Sequence, residues 1–126
     1  MPALHPGETA GVDGATAGRF KRGELPIEAT LDLHGMTQDS AHAALAAFVR
    51  RARTAGRRCV LVITGKGGRA GAGGAPTGVL RANVPRWLNE PGLRAGVLAL
   101  APARPRHGGA GALYVFLKRV RGDGGR

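Results

Sequence analysis

The chain has 126 residues, enough to bury one modest core but not two. Aromatic residues make up only 4% against 22 glycines, so the core must come mainly from Ala, Val, Leu and Ile, and little surface is left for stacking exposed bases. The single Cys59 excludes an internal disulfide or a cysteine-built metal cluster, the longest apolar run, Cys59 to Ile63, is far too short to span a membrane, and a net charge of +11 favours polyanionic partners, nucleic acid first among them.

The charge is unevenly spread. Up to Ile27, Arg19, Lys21 and Arg22 offset Glu8, Asp13 and Glu24, so the whole excess lies between Glu28 and Arg126, as sixteen basic and five acidic residues. A general preference of the source genome for Arg, Ala and Gly is the alternative reading, since 16 of the 19 basic residues are Arg. The amino terminus lacks the basic start and apolar run of a secretory signal, which with the lone cysteine fits a reducing cytoplasm.

Residues 1–27 are rich in Gly, Ala, Pro and Thr without hydrophobic periodicity and read as a flexible tail. His5 there is expected to be solvated. A strand follows, from about Glu28 to Leu33. Strand side chains alternate, so Leu31 and Leu33 face a core while Asp32 and His34 lie together on the other face. A carboxylate beside an imidazole can hold the ring's tautomer, a plausible acid–base unit; the alternative is a buried Asp32 satisfying loop N–H groups. Gly35 ends the strand.

Thr37 is a good N-cap, and Ala41, Ala44, Leu45, Phe48, Val49 and Ala52 follow helical spacing up to Gly56, which is placed to stop the helix. Its outer side carries His42, expected to be solvated, and Arg50, Arg51 and Arg53, either a solvated face or a phosphate-facing edge. Cys59 to Ile63 has the pattern of a buried parallel strand, completing a βαβ crossover. Thr64 to Gly78 is a glycine-rich loop. Val79 to Asn89 reads as a second helix that Pro85 kinks or delays, and strands follow at Val97 to Leu100 and Leu113 to Leu117. Residues 120–126 form a basic, Gly-rich tail. The order βαβαββ predicts an α/β two-layer sandwich, a four-stranded mixed sheet with two helices on one face.

Sites in such folds form where loops leave the carboxyl ends of parallel strands. Gly65-Lys66-Gly67-Gly68-Arg69 offers unobstructed backbone N–H groups and two cations, a combination suited to phosphate, although a merely flexible loop has the same composition. It is not a P-loop, which needs Ser or Thr after the G-K pair. His107, between Arg104-Pro105-Arg106 and Gly108-Gly109, is expected on an exposed loop; its basic neighbours disfavour a further positive charge there. Folded over the same rim, His34 and His107 are candidates for base and acid. No ligand spacing for zinc occurs.

Leu31-Asp32-Leu33-His34-Gly35-Met36-Thr37, Thr64-Gly65-Lys66-Gly67 and His107-Gly108-Gly109-Ala110-Gly111-Ala112 resemble, in content and order, the three motifs of the small MutS-related (Smr) domain family. The resemblance runs from about Glu28 to about Arg119, so it takes 28–119 as the domain. It implies a fold similar to the C-terminal domain of bacterial translation initiation factor three, nucleic-acid binding and, in several members, endonuclease activity on RNA or DNA. Carried over residue by residue, it points to Asp32, His34 and His107 for the active site and to Gly65, Lys66 and Gly67; around these, Gly35, Thr64, Gly68, Arg69, Arg106, Gly108 and Gly109 complete the candidate nucleic-acid contacts.

RNA brings its own nucleophile, so histidine acid–base chemistry can cleave it with no metal or other cofactor. RNA is therefore the favoured substrate. DNA nicking by a magnesium-activated water is the second reading, with Asp32 the one obvious carboxylate. A non-catalytic RNA-, DNA- or ribosome-binding module is the third. No membrane partner is expected, and the oligomeric state is left open.

Overall fold

A computed structural model describes residues 3–65 and 77–120. Cys59–Ile63 forms β2, one of two inner strands of a four-stranded mixed sheet. β1, Ala29–Asp32, runs parallel to it with Asp32 opposite Ile63. β4, Ala112–Leu117, runs antiparallel on its other side with Ala112 opposite Ile63, and β3, Val97–Pro102, lies beyond β4. The order β1-β2-β4-β3 is the mixed sheet expected from the sequence.

Two helices cover one face. α2, Gln38–Thr54, starts at Thr37, whose hydroxyl accepts from the Ser40 N–H at 3.2 Å. It stops because Gly56 takes a left-handed φ of 79°, letting the Gly56 and Arg57 N–H groups turn back onto the carbonyls of Arg53 and Ala52. Leu45, Phe48 and Val49 of α2 pack with Val60, Val62, Leu113 and Val115 of the sheet. α3, Thr77–Leu88, runs through Pro85. A proline inside a helix costs ~3 kcal/mol. Leu80, Val84 and Leu88 are all at most 1% exposed, and burying three such side chains contributes about 1.5–3 kcal/mol each, so packing outweighs the break. A short helix α4, Pro91–Arg94, leads into β3.

The other face corrects the reading of residues 1–27 as a flexible tail. Gly14–Lys21 is a helix, α1, whose N-cap Asp13 accepts from the Thr16 N–H at 3.0 Å. Phe20, 0% exposed, packs its ring 5.4 Å from Phe116 and 6.0 Å from Tyr114. Ahead of α1, the Gly7 N–H donates to the Leu100 carbonyl at 2.7 Å, and Asn89 both accepts from and donates to the backbone of Leu4. The segment thus covers the β3 edge, which would otherwise offer unpaired strand groups. A single aromatic among glycines left no periodicity to read.

His42, expected to be solvated, is half-exposed and has partners. Its Nε2 pairs with the Glu90 carboxylate at 2.7 Å while its ring stacks on Trp87 at 4.7 Å. Buried Cys59 is inert: burial, with the Glu28 carboxylate adding, pushes its thiol up to about 11. A thiol reagent is therefore expected to label the native chain only as fast as it unfolds, and to label it at once in denaturant. Rapid labelling of the native chain would show that α1 does not stay on this face.

Candidate functional site

Because β1, β2 and β3 point one way and β4 the other, Asp32-Leu33-His34-Gly35, Thr64-Gly65 and the Arg104 to Gly111 segment all lie at one end of the sheet. Backbone bonds join them directly. The Leu33 N–H donates to the Ile63 carbonyl at 2.7 Å, and the N–H groups of Thr64 and Gly65 both donate to the Gly111 carbonyl, at 2.8 and 3.0 Å. The three motifs therefore share one rim, with β1 and β4 about 10 Å apart across β2.

Strand alternation sorts the side chains of the first motif. Leu33 is buried beneath α2 and α3, whereas Asp32 and His34 point to the opposite face. Asp32 Oδ1 lies 2.6 Å from His34 Nδ1 and accepts the His34 backbone N–H at 3.0 Å. A carboxylate only accepts, so Nδ1 carries the ring proton and Nε2 is left with its lone pair. The histidine and aspartate side chains are 70% and 47% exposed, so that nitrogen is open to a ligand. Gly35, with φ 79°, turns the chain from β1 towards α2.

Burial alone would raise the Asp32 carboxyl, but the side-chain and backbone hydrogen bonds of His34 outweigh it and hold the group below its ordinary value. A depressed folded value means that the pair stabilises the fold above the ordinary carboxylate range, and that this contribution is lost as pH falls through the depressed value. Asp32→Asn is accordingly expected to flatten the acid limb of a stability–pH curve. An unchanged limb in urea titrations would refute the pairing.

Of the backbone donors expected to be free from Gly65 to Arg69, Gly65 alone is among the described residues. The N–H groups of Thr64 and Gly65 are committed to Gly111, and those of Gly108 and Gly109 to Pro105 and Arg104, so they shape the rim from within. Thr64, 3% exposed, adds its hydroxyl to the same join. Left-handed φ values of 116° and 54° at Gly108 and Gly109 make the reversal into β4 possible. Lys66, Gly67, Gly68 and Arg69 lie outside the described residues, as does the tail beyond Val120.

Arg106, expected on the nucleic acid, is exposed and donates through Nη2 to the carbonyls of Arg22 and Gly23, at 2.8 and 3.0 Å. It clasps the end of α1 to the rim. His107 places Nδ1 2.5 Å from the Tyr114 hydroxyl. Tyr114, Gly23 and the clasp were not legible in the sequence; the one available signal was a tyrosine at an inward strand position.

The basic run of α2 lies at the other end of the sheet. Arg50, Arg51 and Arg53 sit beside Arg57, Arg58, Lys118 and Arg119: the Arg53 Nε donates to the Lys118 carbonyl at 2.9 Å and the Arg58 Nε to the Leu117 carbonyl at 3.0 Å. Ion pairs among the described residues are Arg22–Glu24, His34–Asp32 and His42–Glu90, and none includes these seven cations. Roughly 15 Å of strand separates this end from the rim. Among the described residues, no three His, Cys, Asp or Glu side chains are grouped to hold a metal, and no helix is long and apolar enough to cross a membrane.

The family model for the Smr domain matches residues 31–118, which include both ends of this arrangement. The chain belongs to the Smr domain family. It is 33% identical over 110 residues to SmrA of Escherichia coli strain K12, a probable DNA endonuclease, covering 87% of this chain and 56% of that protein. It is also 33% identical over 107 residues to SmrB of Shewanella oneidensis, a ribosome rescue factor, covering 85% and 54%. The Smr domain here thus spans about half the length of these curated relatives. YdaL, a stand-alone small MutS-related protein of Escherichia coli, has a similar crystal structure, with a TM-score of 0.60 and 31% identity over 81% of this chain and 73% of its own.

Proposed function

We propose that this Smr domain is a cytoplasmic endonuclease that binds RNA and cleaves it by histidine acid–base chemistry. The observation that carries the reading is the exposed His34 ring, whose Nδ1 lies 2.6 Å from the Asp32 carboxylate; in the neutral ring this pairing leaves the Nε2 lone pair facing solvent. In the proposed reaction Nε2 takes the proton of a ribose 2′-hydroxyl, the 2′-oxygen forms a bond to phosphorus, and the bond to the 5′-oxygen breaks. The products are a 2′,3′-cyclic phosphate and a 5′-hydroxyl. Lys66 and Arg69 of the second motif are proposed to supply the positive charge that stabilises the phosphorane.

Magnesium fits this end poorly. A magnesium site supplies several oxygen ligands, whereas Asp32 is the one carboxylate of the first motif, its Oδ1 bonded twice to His34, and no three His, Cys, Asp or Glu side chains are grouped among the described residues. The likeness to SmrA, a probable DNA endonuclease, nevertheless favours DNA as the alternative substrate, and that to SmrB, a ribosome rescue factor, favours the ribosome as a partner. End-labelled structured RNA and supercoiled DNA, each with EDTA or magnesium, separate the possibilities. Cleavage of RNA in EDTA with a cyclic-phosphate end is expected. Magnesium-dependent nicking of DNA would replace the proposal with the metal-dependent reaction, and tight binding without turnover of either would make the domain a binding module.

The cationic end of the sheet is proposed to hold phosphates away from the cut. With Arg50, Arg51 and Arg57 all changed to Gln, affinity for RNA is expected to fall ~10-fold or more near physiological salt, and the slope of log affinity against log salt to lessen by about two. Single-turnover rates at saturating protein should not move. An unaltered salt slope in fluorescence anisotropy would return these arginines to a solvated face.

A further inference from the structure

The two rim histidines are held by partners of opposite character. Asp32 can only accept, and it takes the Nδ1 proton of His34. Tyr114 is 0% exposed, and a buried hydroxyl donates its proton to a protein acceptor. Its oxygen already receives the Arg104 backbone N–H at 3.2 Å. The hydrogen-bond partner left for the hydroxyl proton is Nδ1 of His107, 2.5 Å away, with the two rings edge to face at 5.4 Å between centroids. Nδ1 of His107 is therefore the acceptor, and its ring proton sits on Nε2.

The hydroxyl is sealed in place by the end of α1. Gly23 has φ 73°, and a Cβ there would lie 2.2 Å from the Tyr114 oxygen, so no other residue fits against it. Arg106, bonded to the Arg22 and Gly23 carbonyls, holds that seal to the rim. Tyr114 also alternates to the same face of the sheet as Asp32 and His34, with Ala112 of its own strand in the row of Asp32 and Ile63.

We infer that Tyr114 is a positioning residue that holds His107 neutral with its proton on Nε2, so that the rim presents an acceptor nitrogen on His34 and a donor N–H on His107. The inference rests on the nuclease reading of the rim. A neutral imidazole N–H does not release its proton readily; it stabilises charge by hydrogen bonding. His107 then donates to a non-bridging phosphate oxygen and keeps its proton, in place of the acid role expected from the sequence. The 2′-hydroxyl proton goes to His34, the 2′-oxygen–phosphorus bond forms as the phosphorus–5′-oxygen bond breaks, and water protonates the departing oxygen.

Long-range nitrogen–proton NMR of the histidine-labelled full chain, above the pH at which both rings are neutral, reads the tautomers directly. The expected result is a proton on Nδ1 of His34 and on Nε2 of His107. A wild-type His107 with its proton on Nδ1 overturns the inference whether or not any variant folds. Tyr114→Phe should mix the His107 tautomers, leave the His34 signal in place and slow cleavage ~10-fold through kcat rather than KM; full activity with a mixed tautomer also overturns it. His107→Gln, which keeps an N–H near the Nε2 position, should retain activity within about 10-fold, whereas His107→Ala should lose ~100-fold, the scale of one lost oxyanion donor. Equal losses in both show that donation is not the role. Correct tautomers in a wild-type chain that cuts no RNA overturn the nuclease reading and leave the control of the ring by Tyr114 standing.

Discussion

His34→Ala is expected to abolish RNA cleavage, by roughly a thousandfold or more in single-turnover rate, while affinity stays within a few-fold. The reason is the division of the molecule into two ends. In the proposed reaction His34 meets the reacting hydroxyl at the rim, while Arg50, Arg51, Arg53, Arg57, Arg58, Lys118 and Arg119, seven cations outside the ion pairs of the described residues, lie at the other end of the sheet. Asp32→Asn tests the same unit from behind. An amide can donate to Nδ1, which would move the ring proton to Nε2 and remove the base, so a loss of a hundredfold or more is expected with the fold retained. A His34 variant that cuts as well as wild type would falsify the catalytic assignment, and one that loses binding in step with cleavage would make the ring a phosphate contact.

Phe20→Ala is expected to destabilise the fold by about 3–5 kcal/mol, the range for emptying a fully buried aromatic site. Phe20 rests on both Phe116 and Tyr114, so its removal opens a cavity over the middle of β4 and loosens α1. Urea denaturation followed by circular dichroism measures the change. A shift within ±0.5 kcal/mol, the usual range for an exposed residue, would return α1 to the status of a tail. The consequence reaches the rim, because the end of α1 carries the carbonyls that Arg106 holds and the glycine that seals Tyr114. A destabilised α1 should therefore also slow cleavage at temperatures where the sheet remains folded.

Much of the architecture follows from patterns only a few residues long. Alternation placed Asp32 and His34 on one face and Leu31 and Leu33 on the other, and this is how β1 sits. Helical spacing from Ala41 to Ala52, with Thr37 before it and Gly56 after it, marked α2 to within a residue at its start and two at its end. The unbroken run Cys59 to Ile63 marked an inner strand, which it is. Each of these signals is local, because the chemistry that produces it acts between residues adjacent on one turn or one pleat.

What the tertiary structure decided lies where a residue's partner is far away in the chain. Phe20 becomes core because Tyr114 and Phe116 present a second apolar face, against which Val12, Leu25 and Ile27 also pack, a fact invisible in the composition of residues 1–27. Arg106 and His42 gain partners that are distant in sequence, the carbonyls of Arg22 and Gly23 and the Glu90 carboxylate. The backbone donors of Thr64, Gly65, Gly108 and Gly109 are likewise bonded within the rim. The sequence by itself determined the sheet, the crossover and the Asp32–His34 pair. Only three-dimensional packing decided which polar groups were left to act, because hydrogen-bond partners are assigned by proximity in the folded chain and not by neighbourhood along it.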